Sequence, residues 1–205
     1  MDLMPKGRLD AFADGVFAIA VTLLVLDLAV PGPSEDLIPA LMNEWPEFFA
    51  YMISFAFIGG IWISHASVTH LTKQESSTSY RLTLLMLFFV SILPFSTKLM
   101  ATHLNGPHAS AAVVIYGLDL FAASVMLDQI IKAAINHPEF LVDELDEVEL
   151  NALLRRRQYV VVIAGCAVIL AIFILRAAVA GYIATTLLFF LIPIISTARE
   201  RIGRA

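Results

Sequence analysis

The chain has 205 residues, of which 59% are apolar and only 15% charged, with a net charge of -5 and a strongly positive mean hydropathy. Soluble domains run at about 45–50% apolar and 25% charged, so this balance excludes an ordinary soluble domain and points to a membrane protein. One cysteine, Cys166, sits in an apolar run, which excludes an internal disulfide framework and a thiol pair for metal.

Stretches able to cross about 30 Å of hydrocarbon, which takes about 20 residues, can be placed six times. They fall near 10–30, 46–67, 81–101, 109–132, 157–177 and 179–198. The first apolar run is broken by Asp10 and Asp14 and lacks a small-residue cleavage site, so it is not expected to be a cleavable signal peptide.

On a helix at about 100° per residue, Phe12, Gly15, Val16, Ile19, Leu23, Leu26 and Val30 share one stripe with Thr22 at its edge. Asp10 and Asp14 lie on the opposite side. The stripe suits a surface shared with copies of the chain. The acids need partners from neighbouring helices, because a carboxylate inside the bilayer costs at least about 2.5–3.5 kcal/mol.

Pro31-Gly32-Pro33 stops this first helix. The loop that follows, to Pro46, carries Glu35, Asp36 and Glu44 without a base, which serves either solubility or an acidic vestibule. The second span ends with Trp62, His65 and His70. By rise per residue His65 and Asp14 stand at matching depth, which predicts a His65–Asp14 contact with the Trp62 indole donating nearby and Arg8 at the interface.

Asp119 is the deepest acid and has no base at its depth. It is expected to be protonated or bonded to a helix hydroxyl such as Ser91 or Thr185. Between Asn136 and Gln158, Asp143, Glu144, Asp146, Glu147 and Glu149 precede Arg155, Arg156 and Arg157, the order that suits a helix macrodipole, so a short helix is expected there with the arginines as headgroup anchors. The last two spans should form a tight hairpin turning near Gly181.

Loop charge sets the orientation. With six spans and both termini cytoplasmic, eleven Lys and Arg fall inside and only Lys98 and Arg176 outside.

The run Arg8-x-x-x-Phe12-Ala13-Asp14, followed by Gly-Val-Phe-Ala-Ile-Ala-Val-Thr-Leu-Leu-Val-Leu, resembles the first-helix signature Arg-x-x-x-Phe-Ser-Asp of the transmembrane protein 175 family of endosomal and lysosomal potassium channels and their prokaryotic relatives. The likeness extends to Trp62 and His65 and to Leu93-Pro94-Phe95-Ser96-Thr97; Ala13 departs from the family's serine. It implies an all-α membrane protein with one six-helix domain over 1–205, assembled as a homotetramer in the cell membrane with the first helix lining the pore. It further implies a constriction at Ile19, Leu23 and Leu26, a selectivity role for Thr22, and a supporting network of Arg8, Phe12, Asp14, Trp62 and His65.

The implied activity is potassium permeation. No Thr-Val-Gly-Tyr-Gly loop occurs, so a carbonyl filter is not expected and selectivity should be modest. No cofactor, resident metal or nucleic-acid partner is expected beyond the lipid bilayer and the permeant potassium ion. His65 and His70 are five apart, as are His103 and His108, so neither pair shares a helix face and an enzyme is not indicated. The rival reading is a proton-coupled secondary transporter using Asp14, His65 and Asp119 as a relay.

Overall fold

The computed structural model describes residues 6–137, 140–141, 158, 160–171 and 179–187. Among them the structure is helical, apart from an isolated bridge between Thr72 and Leu141. Five helices have described bounds: α1 (Lys6–Leu26), α2 (Leu37–Asn43), α3 (Trp45–His70), α4 (Ser77–His103) and α5 (Ala109–Ile135). Residues 160–171 and 179–187 are also helical. By length and composition α1, α3, α4 and α5 can each cross a bilayer.

The ends of these helices follow local chemistry. Pro46 stands in the first turn of α3, where its missing N–H is no loss, and Glu47 beside it favours the positive end of the helix dipole. Ser76 caps α4, its Oγ accepting from the Ser79 N–H at 3.0 Å. The sequence reading carried the first helix to residue 30. It stops at Leu26, and the chain tightens through bonds from Asp27 N to Leu24 O and from Leu28 N to Val25 O before Pro31. The short α2 was not foreseen, since seven residues with Pro39 among them show no useful period.

Helices in lipid gain little from hiding apolar surface and associate by close packing and interhelical hydrogen bonds. α4 and α5 are the most closely packed pair, and α1 lies against α3 and α4. The face of α1 that does this carries Leu9, Ala13, Phe17, Ala20 and Leu24, all buried. Ala13, where the family has serine, is enclosed by apolar neighbours. The core continues through Phe57, Ile58 and Ile61 of α3, Met86, Val90 and Leu93 of α4, and Leu120 and Leu127 of α5.

A hydroxyl chain binds three helices within that core. Ser54 Oγ of α3 lies 2.7 Å from Thr97 Oγ1 of α4 and 3.0 Å from Tyr116 Oη of α5, and Thr97 donates to Leu93 O at 2.7 Å. One direction satisfies every proton: Tyr116 donates to Ser54, Ser54 to Thr97, and Thr97 to the carbonyl ahead of Pro94. Pro94 inside α4 has no N–H for the Val90 carbonyl one turn earlier, and the Thr97 bond to Leu93 O lies beside that gap.

The later helical stretches pack on α5. Tyr182 donates to Val113 O at 3.2 Å and meets the Tyr116 ring edge-on at 5.6 Å. Its ring occupies the space beside Gly117, where a Cβ would fall 1.8 Å from the Tyr182 oxygen. Gly181 is not a turn residue as expected. It lies within a helix and faces Ala167, whose Cβ is 2.7 Å from where a Gly181 Cβ would stand, so its absent side chain serves close helix approach. Residues 142–157, with the acid-rich run and Arg155 to Arg157, lie outside the described residues, as do 172–178 and 188–205.

Candidate pore helix and its polar supports

α1 has two faces with different neighbours. The core face, Leu9 to Leu24, is spent on α3 and α4, while Phe12, Ile19, Leu23 and Leu26 remain exposed, Ile19 at 61% and Leu26 at 76%. Gly15, in line with them, faces open space. The two faces are about a third of a turn apart on the helix wheel, so α1 can hold to its own subunit and still present the whole aliphatic row outward.

Thr22 is exposed beside that row, and its hydroxyl donates to Ile19 O at 2.9 Å. The proton is thus turned into the helix. The oxygen lone pairs remain, and these are what a cation uses.

The supports of α1 are polar and lie on three levels. At its start, the Lys6 ammonium donates to Thr69 O and Thr72 O, in the last turn of α3 and just beyond it. Glu75 is buried in the same junction, its Oε1 2.8 Å from the Thr72 hydroxyl. Burial pushes the Glu75 carboxyl above its ordinary 4.5, while the Thr72 bond and nearby Lys6 pull it back.

About two turns further along, the indole of Trp62 donates to Asp14 Oδ1 at 2.8 Å. The carboxylate is therefore held by Trp62, the donor expected beside it. His65 is buried, and its ring tilts against Phe17 at 6.2 Å. Trp62 and His65 are three apart on α3 and point to different sides of α1: one reaches round to the exposed Asp14, the other into the core face. Arg8 is exposed.

At its other end, α1 meets Lys98 of α4 and Glu47 of α3. Lys98 Nζ donates to Asp27 O at 2.7 Å and to Glu47 Oε1 at 3.3 Å, and Glu47 Oε2 accepts from Ala29 N at 3.1 Å. The sequence reading had placed Lys98 only as loop charge and Glu47 not at all. A base near a helix C-terminus is a usable signal, but nothing in one sequence says whose C-terminus it meets.

Asp119 stands apart from these supports. The hydroxyl that meets it is Ser96, at 2.7 Å from Oδ2, not Ser91 or Thr185, which donate to Phe88 O and Gly181 O within their own helices. Ser96 is also 3.1 Å from Leu93 O, and a single hydroxyl proton serves one acceptor fully. Both contacts are filled together when Asp119 carries a proton and donates it to Ser96. Asp128, also buried and not singled out from the sequence, pairs with Lys132 at 2.6 Å one turn along α5.

Among the described residues no three His, Cys, Asp or Glu side chains gather as a metal site. The geometry is that of an anchored helix presenting an aliphatic row.

Residues 8–94 match the family model described as endosomal/lysosomal potassium channel TMEM175. A potassium channel of Chamaesiphon minutus is 32% identical over 157 residues, which cover 75% of this chain and 77% of that protein. The chain belongs to the TMEM175 family.

A second relative, a potassium channel of Streptomyces collinus, is 40% identical over 124 residues, 58% of this chain and 60% of that protein. The crystal structure of a lysosomal potassium-selective TMEM175 homologue from Chamaesiphon minutus superposes with a TM-score of 0.80 at 28% identity, covering 91% of this chain and 96% of that one. This TMEM175 chain is accordingly a multi-pass membrane protein of an ion-channel family. Its family match runs from near the start of α1 through α3 into α4 and includes Asp14 and Trp62.

Proposed function

We propose that four copies of this chain form a potassium-permeable cation channel of modest selectivity, with α1 of each copy lining a central pore. Each subunit crosses the cell membrane six times with both termini cytoplasmic, the arrangement that the inside excess of Lys and Arg supports. Ile19, Leu23 and Leu26 form the constriction, a ring of aliphatic side chains that gates by dewetting. Thr22 oxygens beside it replace part of the ion's water. Potassium is the permeant ion, and no cofactor or resident metal takes part.

The observation that carries this reading is the mixed character of the exposed side of α1. Aliphatic side chains alone would suit lipid, but α1 also leaves Thr22 exposed at the edge of that row and Asp14 exposed on another side of the helix, where Trp62 holds it. Intramembrane acids face a bundle interior or a water-filled cavity, so neither group is placed for plain lipid contact. Copies of the chain around an aqueous axis supply both.

The transporter alternative needs Asp14, His65 and Asp119 in one relay. Asp14 is held by Trp62 on α3 and Asp119 by Ser96 on α4, two separate sets of contacts.

The test is cation flux into proteoliposomes under a fixed gradient, with potassium, sodium and a large impermeant cation compared. Potassium flux above sodium, raised in Ile19→Ala, is the expected result. Flux that requires an added proton gradient would favour the transporter, and an unchanged Ile19→Ala would remove that residue from the pore.

A further inference from the structure

The end of α1 that carries Leu23 and Leu26 has little apolar anchorage of its own. Beyond Ala20 only Leu24 is buried, and Val25 and Leu26 are exposed. Alanine is small enough to let neighbouring helices slide, so packing by itself leaves this end weakly fixed in rotation and tilt. Polar contacts take over here.

Lys98 and Glu47 close a ring around the two peptide groups that follow α1. The ammonium takes the carbonyl of Asp27, one carboxylate oxygen takes the N–H of Ala29, and the other carboxylate oxygen takes the ammonium. Three elements meet at one place: the end of α1, the first turn of α3 and α4 near its last turns. The Glu47 side chain is 16% exposed and that of Lys98 40%, so the carboxylate is the inner member and water screens the lysine more than it screens the acid. The negative end of the α1 dipole adds to the hold on Lys98.

We propose that Lys98 and Glu47 are positioning residues for the constriction: as one clamp they hold the end of α1 and so set the bore at Leu23 and Leu26. The inference rests on the reading of α1 as the pore helix. Neither side chain needs to touch the ion.

Charge alone and positioning make opposite forecasts. If Lys98 and Glu47 acted only through the field at the pore mouth, Lys98→Met would raise cation conductance and Glu47→Gln would lower it, and both effects would shrink in concentrated salt. A clamp is broken equally by losing either half. Its loss moves conductance in the same direction in both variants.

The experiment is single-channel recording of potassium current in planar bilayers, which reads only assembled channels and so passes over effects on yield. Lys98→Met and Glu47→Gln are expected to shift unitary conductance by about twofold or more in the same sense, and the double variant no further than either single. Lys98→Arg, which keeps both donations, is expected to restore the native value. Opposite shifts, independent multiplying effects, or native conductance in both singles would overturn the clamp. Ile19→Ala and Leu23→Ala recorded alongside separate the two readings: altered conductance there with unaltered clamp variants sinks the clamp alone, whereas unaltered conductance in both sinks the pore helix itself.

Discussion

Asp14 shows how one side chain is made acceptable in an apolar helix. Its neighbours on α1 offer no donor, and the nearest help comes from the indole of Trp62 on another helix. Indole has a single N–H and no acceptor, so it cannot compete for the proton and serves a carboxylate well. Trp62→Phe keeps the ring and removes that N–H. We expect it to lower the melting temperature of the detergent-solubilised protein by a loss of about 1 kcal/mol, typical for an interhelical hydrogen bond in a membrane protein. A melting curve unchanged from the native protein would show that the bond carries no stability. Asp119 solves the same problem differently, by joining a serine hydroxyl deep between α4 and α5.

At the scale of elements, the junction of α1, α3 and α4 depends on backbone groups at the ends of helices. α3 ends at His70, α4 starts at Ser77, and Lys6 and Glu75 fill the space between with one ammonium and one carboxyl. Burial raises the Glu75 carboxyl, so the folded protein holds that proton more tightly than the unfolded chain. The associated stability is present below the unfolded value and is lost as pH rises through the folded one. Glu75→Gln stays neutral and keeps the oxygen that meets Thr72. Its melting temperature is therefore expected to match or exceed the native one at neutral pH, with the difference closing on acidification into the carboxylate range. A variant less stable at neutral pH and equally so in acid would mean that the charged carboxylate supports the junction.

The whole molecule is designed for company. Within one chain α1 spends five residues on its own subunit and leaves an aliphatic row and a carboxylate outside. On the proposed reading, copies around an axis cover the aliphatic row, and closed rotational symmetry is the ordinary outcome of a head-to-tail contact that closes. Native mass measurement of the purified protein is expected to give four times the 22.5 kDa chain. Cysteines introduced at Leu23 should cross-link between chains. A monomer in mild detergent with no cross-linking in membranes would refute the shared axis.

Much of this was open to reading in one dimension. Hydrophobic length places four membrane-spanning helices within a few residues of their bounds, because about 20 apolar residues have few other uses. The spacing of Ile19, Leu23 and Leu26 identifies a shared face, and Arg8, Phe12 and Asp14 mark the family, because helix period and residue type are properties of the chain itself. What no spacing supplies is azimuth and neighbour. The core face of α1, Ser96 for Asp119, and the meeting of Lys98 with Glu47 all depend on how helices are rotated and set against each other. Those rotations are decided by packing and hydrogen bonds between residues many positions apart, and only the tertiary structure contains them.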